Sequence, residues 1–228
     1  MAKKSIFIAG TDTDVGKTVI AAGILQAANN KGLSTVAIKP IAAGCELTEA
    51  GLRNSDALLL QKTASIELSY EQVNPIAFEP PIAPHIAAEH EGRRLDADRI
   101  AALCRGVLLK PADLVVIEGA GGWRVPLNNR QTIADIPKML KTPVILVVGM
   151  KLGCISHTLL TVESIIRDGL PLAGWVANQI DADMSCYAEN LQTLKNMLSA
   201  PLIAEVPYSD NCSPENIAQF VDIDALIG

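Results

Sequence analysis

One stretch limits what this chain can fold into more than any other: Gly10-Thr-Asp-Thr-Asp-Val-Gly-Lys-Thr18, set directly behind the apolar run Ile6-Phe-Ile-Ala9. It reads as strand, loop and helix. The run stops at Gly10, and a helical pattern opens near Lys17 with Val19, Ile20, Ile24 and Leu25 on one face. A loop so placed can wrap backbone N–H groups around phosphate oxygens at a helix N-terminus, where the helix dipole also favours anions. Lys17 would reach the terminal phosphates and the Thr18 hydroxyl would hold Mg2+. The spacing departs from the general rule, because five residues separate Gly10 from Gly16 where four are usual, so Thr11 takes the first glycine's place. A glycine-containing turn that binds nothing would share the glycines, but it would not need Gly-Lys-Thr at the strand-to-helix junction.

A chain of 228 residues has room for one α/β domain with a substantial core. It is 49% hydrophobic but only 4% aromatic, a balance rich in Ala, Ile, Leu and Val that suits strands buried on both faces. A net charge of −6 argues against a nucleic-acid footprint. The longest apolar run, Pro143 to Met150, is far short of the roughly 20 residues needed to cross a bilayer. The start Met1-Ala-Lys-Lys4 is basic, but the apolar stretch behind it is too short for a secretory signal. The expectation is a cytoplasmic protein without a membrane partner. Cys45, Cys104, Cys154, Cys186 and Cys212 are scattered and form no Cys-x-x-Cys pair, which points to reduced thiols. His85, His90 and His157 lack metal-ligand spacing and read as surface or supporting residues.

Along the chain, a first helix is expected over 17–31, closed by Lys31-Gly32, and a strand over Thr35–Ile38 that ends at Lys39-Pro40. The proline biases Lys39 toward an extended backbone. Residues 41–54 read as a loop, Asn54-Ser55-Asp56 opens a helix through about Lys62, and the four prolines between Val73 and Pro84 predict an irregular crossing. Pro84 suits the first turn of a short helix, and Leu95-Asp96 starts another. Leu114–Ile117 is a buried strand ending in Glu118-Gly-Ala-Gly-Gly-Trp123, and Thr132–Leu140 a short helix interrupted by Pro137. Strands follow at 144–148, 172–177 and 202–206, helices at about 156–168 and 185–198, and an unassigned segment around Pro214-Glu215-Asn216. Strands alternating with helices imply a three-layer α/β domain over 1–228, its mostly parallel sheet flanked by helices.

In open α/β sheets, ligands sit outside the carboxyl ends of the strands. Gly10 to Thr18, Lys39, Glu118, Lys151, Asn178 and Pro207 each follow a predicted strand, and that convergence outweighs any one of them. Asp113 and Glu118 flank one strand, and five residues at about 3.3 Å each set them ~16 Å apart. Only Glu118 is at the phosphate end, so it takes the metal role. Asp56 could be a second carboxylate near the metal or an ordinary helix-start residue. Gly119, Gly121 and Gly122 could admit a ligand to the backbone or form a plain turn. Lys39 could be a surface lysine, but a second cation beside Lys17 suits a phosphoryl group gaining charge. Lys151 could help bind an anion or be solvated.

With these residues in place, the chain resembles the dethiobiotin synthetase family. The shared motifs are Gly10–Thr18, Lys39-Pro40, Gly51-Leu-Arg-Asn-Ser-Asp56, Val73-Asn-Pro75, Pro84-His-Ile86, Glu118–Trp123, Val148-Gly-Met-Lys-Leu-Gly-Cys154, Gly174-Trp-Val-Ala-Asn178 and Pro214-Glu-Asn216, in order over nearly the whole chain. The five-residue loop spacing is the family's own form. The resemblance implies a homodimeric P-loop enzyme that uses ATP and Mg2+ to carboxylate 7,8-diaminononanoate with CO2, closing the ureido ring of dethiobiotin. One amine would capture CO2 as a carbamate, its oxygen would attack the γ-phosphoryl group, and the second amine would displace phosphate. The resemblance makes Lys17, Lys39 and Thr11 catalytic, and Thr18, Asp56 and Glu118 metal ligands. Asp14, Val15, Gly16, Lys17, Thr18, Val19, Asp56, Glu118, Gly119, Ala120 and Gly121 would hold the nucleotide's phosphate side. Asn178, Gln179, Pro207, Tyr208, Ser209 and Glu215 would face the adenine. Thr11, Lys39, Ala43, Gly121, Lys151, Leu152 and Ser156 would contact the substrate.

Some positions depart from the family's pattern. Ala43 stands where Ser follows Lys-Pro-Val-Ala, Ser156 where Asn precedes the helix histidine, and Asn190 where Tyr is expected, with Tyr187 one turn earlier. These bear on the substrate's carboxylate tail rather than on phosphoryl transfer. A partition or division-site switch ATPase is the competing reading, but its extra lysine would fall at Asp12 and the glycine before Val15 at Asp14. An acidic residue cannot reach a neighbouring phosphate. An amide-forming synthetase would bring a glutaminase domain for which the chain has no length, and Cys154 reads as a packing residue.

Overall fold

Apolar residues alternate between two faces along each central strand, and the two faces have separate cores. Phe7, Val115, Ile117, Leu146 and Val148 lie in one; Ile6, Ile8, Leu114, Val116, Ile145 and Val147 lie in the other. That period of two on both faces is the mark of a sheet covered on both sides.

The computed structural model describes residues 3–227; Met1, Ala2 and Gly228, the ends of the predicted domain, lie outside the described residues. The first half runs β1 (Lys4–Gly10), α1 (Lys17–Asn30), β2 (Thr35–Ile38), β3 (Ile41–Ala42), β4 (Glu46–Thr48), β5 (Gly51–Arg53), α2 (Ser55–Thr63), α3 (Tyr70–Val73), β6 (Ile76–Ala77), α4 (Pro84–His90) and α5 (Ala97–Leu108). Then come β7 (Leu114–Gly122), α6 (Asp135–Leu140), β8 (Val144–Met150), α7 (Cys154–Arg167), β9 (Leu172–Gln179), α8 (Tyr187–Met197), β10 (Leu202–Val206), α9 (Pro214–Ala218) and α10 (Ile223–Ile227). Six strands form one parallel sheet in the order β10-β9-β8-β1-β7-β2. On one face α1 supplies Ile20, Ile24 and Leu25, backed by Ile217 of α9 and Ile223 and Leu226 of α10. Gly23 lets α9 come this close, since a Cβ there would stand 2.3 Å from Ile217 Cγ2. The opposite face is covered by Ile100 and Cys104 of α5, Ile136 of α6, Ile165 of α7 and Leu194 of α8.

The structure corrects several sequence expectations. Residues 41–54 are not a plain loop: β4 and β5 form an antiparallel hairpin, and β3 pairs in parallel with β6 inside the proline-rich crossing. A four-residue helix, α3, precedes that crossing. Strand β7 does not stop before Glu118, because Ile8 pairs with Glu118 and, past a register shift, Gly10 pairs with Gly122. The shift is a bulge on the β7 side that lets the glycine run follow the loop instead of leaving the sheet. Asn178 likewise lies within β9. Helix α6 begins only at Asp135, so Pro137 sits in its first turn and interrupts nothing. The C-terminal segment forms two short helices, α9 and α10. Among the described residues no helix is long and apolar enough to cross a membrane.

Candidate active site

Strand β1 and helix α1 are joined by a loop whose shape depends on two left-handed residues, Asp14 at φ 57° and Gly16 at φ 86°. Gly16 is the N-cap of α1 and no side chain caps that end, so the helix's first N–H groups stay available to a ligand. The loop is anchored to the sheet by the Thr11 N–H, which donates to the Val147 carbonyl at 3.0 Å. Asn178 Nδ2 anchors its far end, donating to the Val15 carbonyl at 2.9 Å. A Cβ on Gly16 would stand 2.3 Å from that same Nδ2.

Beside the loop lies a cluster of four polar side chains. Lys39 Nζ is 2.6 Å from Glu118 Oε1 and 2.7 Å from Asp56 Oδ2. The Thr18 hydroxyl donates to the same Glu118 Oε1 at 2.7 Å. Glu118 is 1% exposed, and its second oxygen, Oε2, is buried without a hydrogen-bond partner. A carboxylate oxygen left bare in a dry site is costly unless something else takes it up. Burial alone would lower the pKa of the Lys39 ammonium; the charges and hydrogen bonds of Glu118 and Asp56 outweigh it and hold the group above the ordinary lysine value. Lys17 is the opposite case. Burial pulls its pKa down, only partly offset by the more distant charge of Glu118. Its Nζ donates to the Asp12 carbonyl at 2.9 Å, and among the described residues it has no ion pair. It is a buried cation facing a cavity with no anion against it.

That cavity, of about 720 Å3, brings together Asp14, Gly16, Lys17, Thr18, Val19, Lys39, Ala43, Asp56, Glu118, Ala120 and Gly121, all of them sequence candidates, under a cover of Pro81–Pro84. Thr11 lines a second cavity of about 730 Å3 across the loop; its hydroxyl accepts from the Gly149 N–H at 3.4 Å. Lys151 pairs with Asp12 at 3.3 Å. The Thr13 N–H, which donates to the Asp12 carboxylate, holds that carboxyl below its ordinary pKa, with Lys151 adding to the effect. Leu152 and Ser156 are exposed at the start of α7, and neither lines either cavity. Asn178, Gln179, Pro207, Tyr208, Ser209 and Glu215 lie at the carboxyl ends of β9 and β10 and on α9, beyond both linings. Gln179 Oε1 accepts from the Tyr208 N–H at 3.4 Å and ties that group together. Asp113, set aside at the strand start, accepts from the Ser34 N–H and hydroxyl at the opposite end of the sheet.

Sequence reasoning left out Asp12, Arg124 and Arg167. The two arginines line the second cavity with Glu163 and Ser164. Arg124 pairs with Asp168 at 2.9 Å, and the same Asp168 accepts from Trp123 Nε1. The position of Arg124 directly after Gly-Gly-Trp was the available signal. Arg167, at the end of a surface helix, carried none.

A family model described as an AAA domain matches residues 4–216. The chain is 54% identical to the ATP-dependent dethiobiotin synthetase of Cellvibrio japonicus, an alignment that covers 100% of this chain and 99% of the relative. It is 52% identical to the enzyme of that name in Pseudomonas aeruginosa, covering 97% of each chain. For Marinobacter nauticus the identity is 50%, over 100% of this chain and 99% of the relative. Among solved structures, a ParA family ATPase from Chlorobium tepidum superposes with a TM-score of 0.54 at 11% identity, over 99% of this chain and 93% of that one. The signal recognition particle receptor FtsY from Elizabethkingia anophelis, in complex with GDP, gives 0.54 at 13% identity, over 100% and 64%. These last two are likenesses of fold.

Proposed function

The chain belongs to the family of ATP-dependent dethiobiotin synthetases, and from that premise we propose that it carboxylates 7,8-diaminononanoate with CO2 and closes the ureido ring of dethiobiotin at the expense of ATP. The observation that carries this reading is the pair of buried lysines at one cavity. Lys39 sits between two carboxylates, and Lys17 has none. One amine takes up CO2 and loses a proton to give a carbamate. A carbamate oxygen then forms a bond to the γ-phosphorus as the bond to ADP breaks, and the second amine attacks the carbonyl carbon, gives up a proton and expels phosphate as the C–O bond breaks. Every intermediate is anionic, so the chain's contribution is position and positive charge. Lys17 meets the phosphoryl oxygens from the loop side. Lys39 reaches the carbamate and phosphoryl oxygens from the β2 side, and Thr11 contacts the reacting nitrogens.

The donor set also fits Mg2+, a hard cation that prefers oxygen ligands. The Thr18 hydroxyl, Asp56 and Glu118, with its bare buried Oε2, would hold it. When bound, it would neutralise developing charge on the phosphate oxygens. Lys39 can give up both carboxylates to such an ion because phosphoryl and carbamate oxygens become its new partners.

A homodimer is part of the proposal. Leu152, Leu160 and Ile166 are 91%, 63% and 61% exposed on and before α7, apolar surface that a second copy would cover. All five cysteines are free thiols, which suits the cytoplasm.

Gly16→Ala tests the loop. It places a Cβ at a left-handed φ and against Asn178 Nδ2, a strain of about 1–3 kcal/mol. ATP affinity measured by calorimetry should fall on the order of 10- to 100-fold; an unchanged affinity would show that the loop does not grip phosphate. The function itself is tested by incorporation of labelled bicarbonate into an acid-stable product with MgATP, with and without the diamine. Diamine-dependent label matched by ADP release is expected. Hydrolysis indifferent to the diamine, with no label fixed, would overturn the ligase reading in favour of a switch ATPase.

A further inference from the structure

Behind Lys39 runs a buried polar chain that lines neither cavity. The Tyr70 hydroxyl accepts from the Asn54 N–H at 2.7 Å and donates to Asn74 Oδ1 at 3.0 Å. Asn74 Nδ2 donates to the Lys39 carbonyl at 2.8 Å and to the Ile76 carbonyl at 3.3 Å. The Lys39 N–H donates to the Val73 carbonyl at 2.8 Å. Both backbone polar groups of Lys39 are therefore held by the Val73-Asn74 pair. Asn54, at the other end, is the N-cap of α2, accepting from the Ala57 N–H at 3.2 Å, and Asp56 lies in that helix's first turn. One phenol thus joins the backbone that presents the ammonium to the helix end that presents one of its carboxylates.

We propose that Tyr70 and Asn74 are positioning residues for Lys39, holding its backbone fixed relative to Asp56 while Nζ exchanges carboxylates for phosphoryl oxygens. The inference rests on the role given to Lys39 above. A lysine side chain has four rotatable bonds and aims its charge only if its Cα is fixed. Tyr70, Asn54 and Asn74 are each less than a tenth exposed, and a buried network with every partner satisfied is rigid. The Arg53 guanidinium carbon lies over the Tyr70 ring, 4.1 Å from its centroid, and adds a cation–π contact to the same phenol. Burial raises the pKa of the phenol, so it keeps the proton it donates to Asn74.

Tyr70→Phe keeps the ring and removes only the hydroxyl, leaving the Asn54 N–H and Asn74 Oδ1 without partners. Turnover with the diamine and bicarbonate should fall on the order of 10- to 100-fold, with ATP affinity unchanged because the phosphate loop is untouched. A merely structural role would cost melting temperature alone, as Ile100→Val in α5 should. The deciding measurement is a double-mutant cycle with Lys39→Ala. If Tyr70 acts through Lys39, removing the hydroxyl in the Lys39→Ala background costs no further turnover; the same loss repeated there, or wild-type turnover in Tyr70→Phe alone, overturns the proposal. Should Tyr70→Phe fail to fold, Asn74→Ser carries the same cycle. Amide exchange gives a readout without turnover: the Lys39 and Asn54 N–H groups should lose protection in Tyr70→Phe while Ile20 in α1 does not, and unchanged protection at Lys39 overturns the inference. A wild-type chain that fixes no bicarbonate would instead sink the ligase reading, with the exchange result still standing for or against Tyr70.

Discussion

Lys39→Ala will bind ATP as the wild type does and turn over about 10²- to 10³-fold more slowly, the loss typical of one preorganised group facing developing charge. The separation of the two effects follows from where each lysine stands. Lys17 and the uncapped start of α1 are on the loop and do not depend on Lys39. Lys39 comes from the end of β2 and is held by carboxylates rather than by the loop. The substitution also leaves Glu118 buried with its charge unpaired, and breaking a buried pair costs about 3–5 kcal/mol. Part of that is spared, because Asp56 is 44% exposed and can rehydrate. Turnover therefore has to be measured well below the variant's melting temperature, beside ATP affinity by calorimetry. Near-normal turnover would remove Lys39 from the mechanism, and lost ATP affinity would make it a nucleotide ligand instead. The pKa direction adds a control. The Lys39 pKa is raised on folding, so its stabilising contribution is complete below the unfolded value of 10.5 and is lost only as pH rises through the higher folded value. Stability lost near neutral pH has another source.

How much of this was legible in the sequence depended on the range of each interaction. β2 and β10 have the bounds that their apolar runs predict, 35–38 and 202–206, because a fully buried parallel strand announces itself in composition. β4, β5 and β6 did not, since two or three residues cannot display a period. The sequence predicts a β7 that is too short because Glu118 and the glycines have poor strand propensity. Pairing with β1 overrides that propensity through Gly122.

The site was legible to the same degree. The ends of β1 and β2 and the Glu118 position on β7 name residues that line the cavity, because topology alone puts those ends on one side, whereas Lys151, Asn178 and Pro207, at the ends of β8, β9 and β10, lie outside its lining. The pairings were not legible. Thr18 and Glu118 are 100 residues apart and Lys39 and Glu118 are 79 apart, and nothing local encodes that both donors meet one oxygen. Asn178, expected to face the adenine, also donates to the Val15 carbonyl, a contact between residues 163 apart that no local pattern encodes. In sequence Asp12 serves only to argue against a competing family; its carboxylate pairs with Lys151 across 139 residues.

Glu118→Gln is the second large effect, and it separates the two roles that meet on that side chain. Oε1 accepts from both the Thr18 hydroxyl and the Lys39 ammonium, and a glutamine carbonyl can accept both in the same place. Folding should therefore survive with a modest loss of melting temperature, since Asp56 still pairs with Lys39. What glutamine cannot replace is the negative charge and the second bare oxygen, Oε2, buried without a partner. If that oxygen is a magnesium ligand, the Mg2+ concentration for half-maximal turnover should rise by at least the roughly 10- to 100-fold that a lost supporting partner costs a metal site. Saturating Mg2+ should then restore part of the rate. The measurement is turnover against Mg2+ at fixed ATP for wild type and variant. Unchanged metal dependence with reduced turnover would leave Glu118 as the counter-ion of Lys39 and send the metal to Asp56 and Thr18. Unchanged behaviour in both would mean that the bare oxygen serves neither, and that the cluster around Lys39 is a device of folding rather than of phosphoryl transfer.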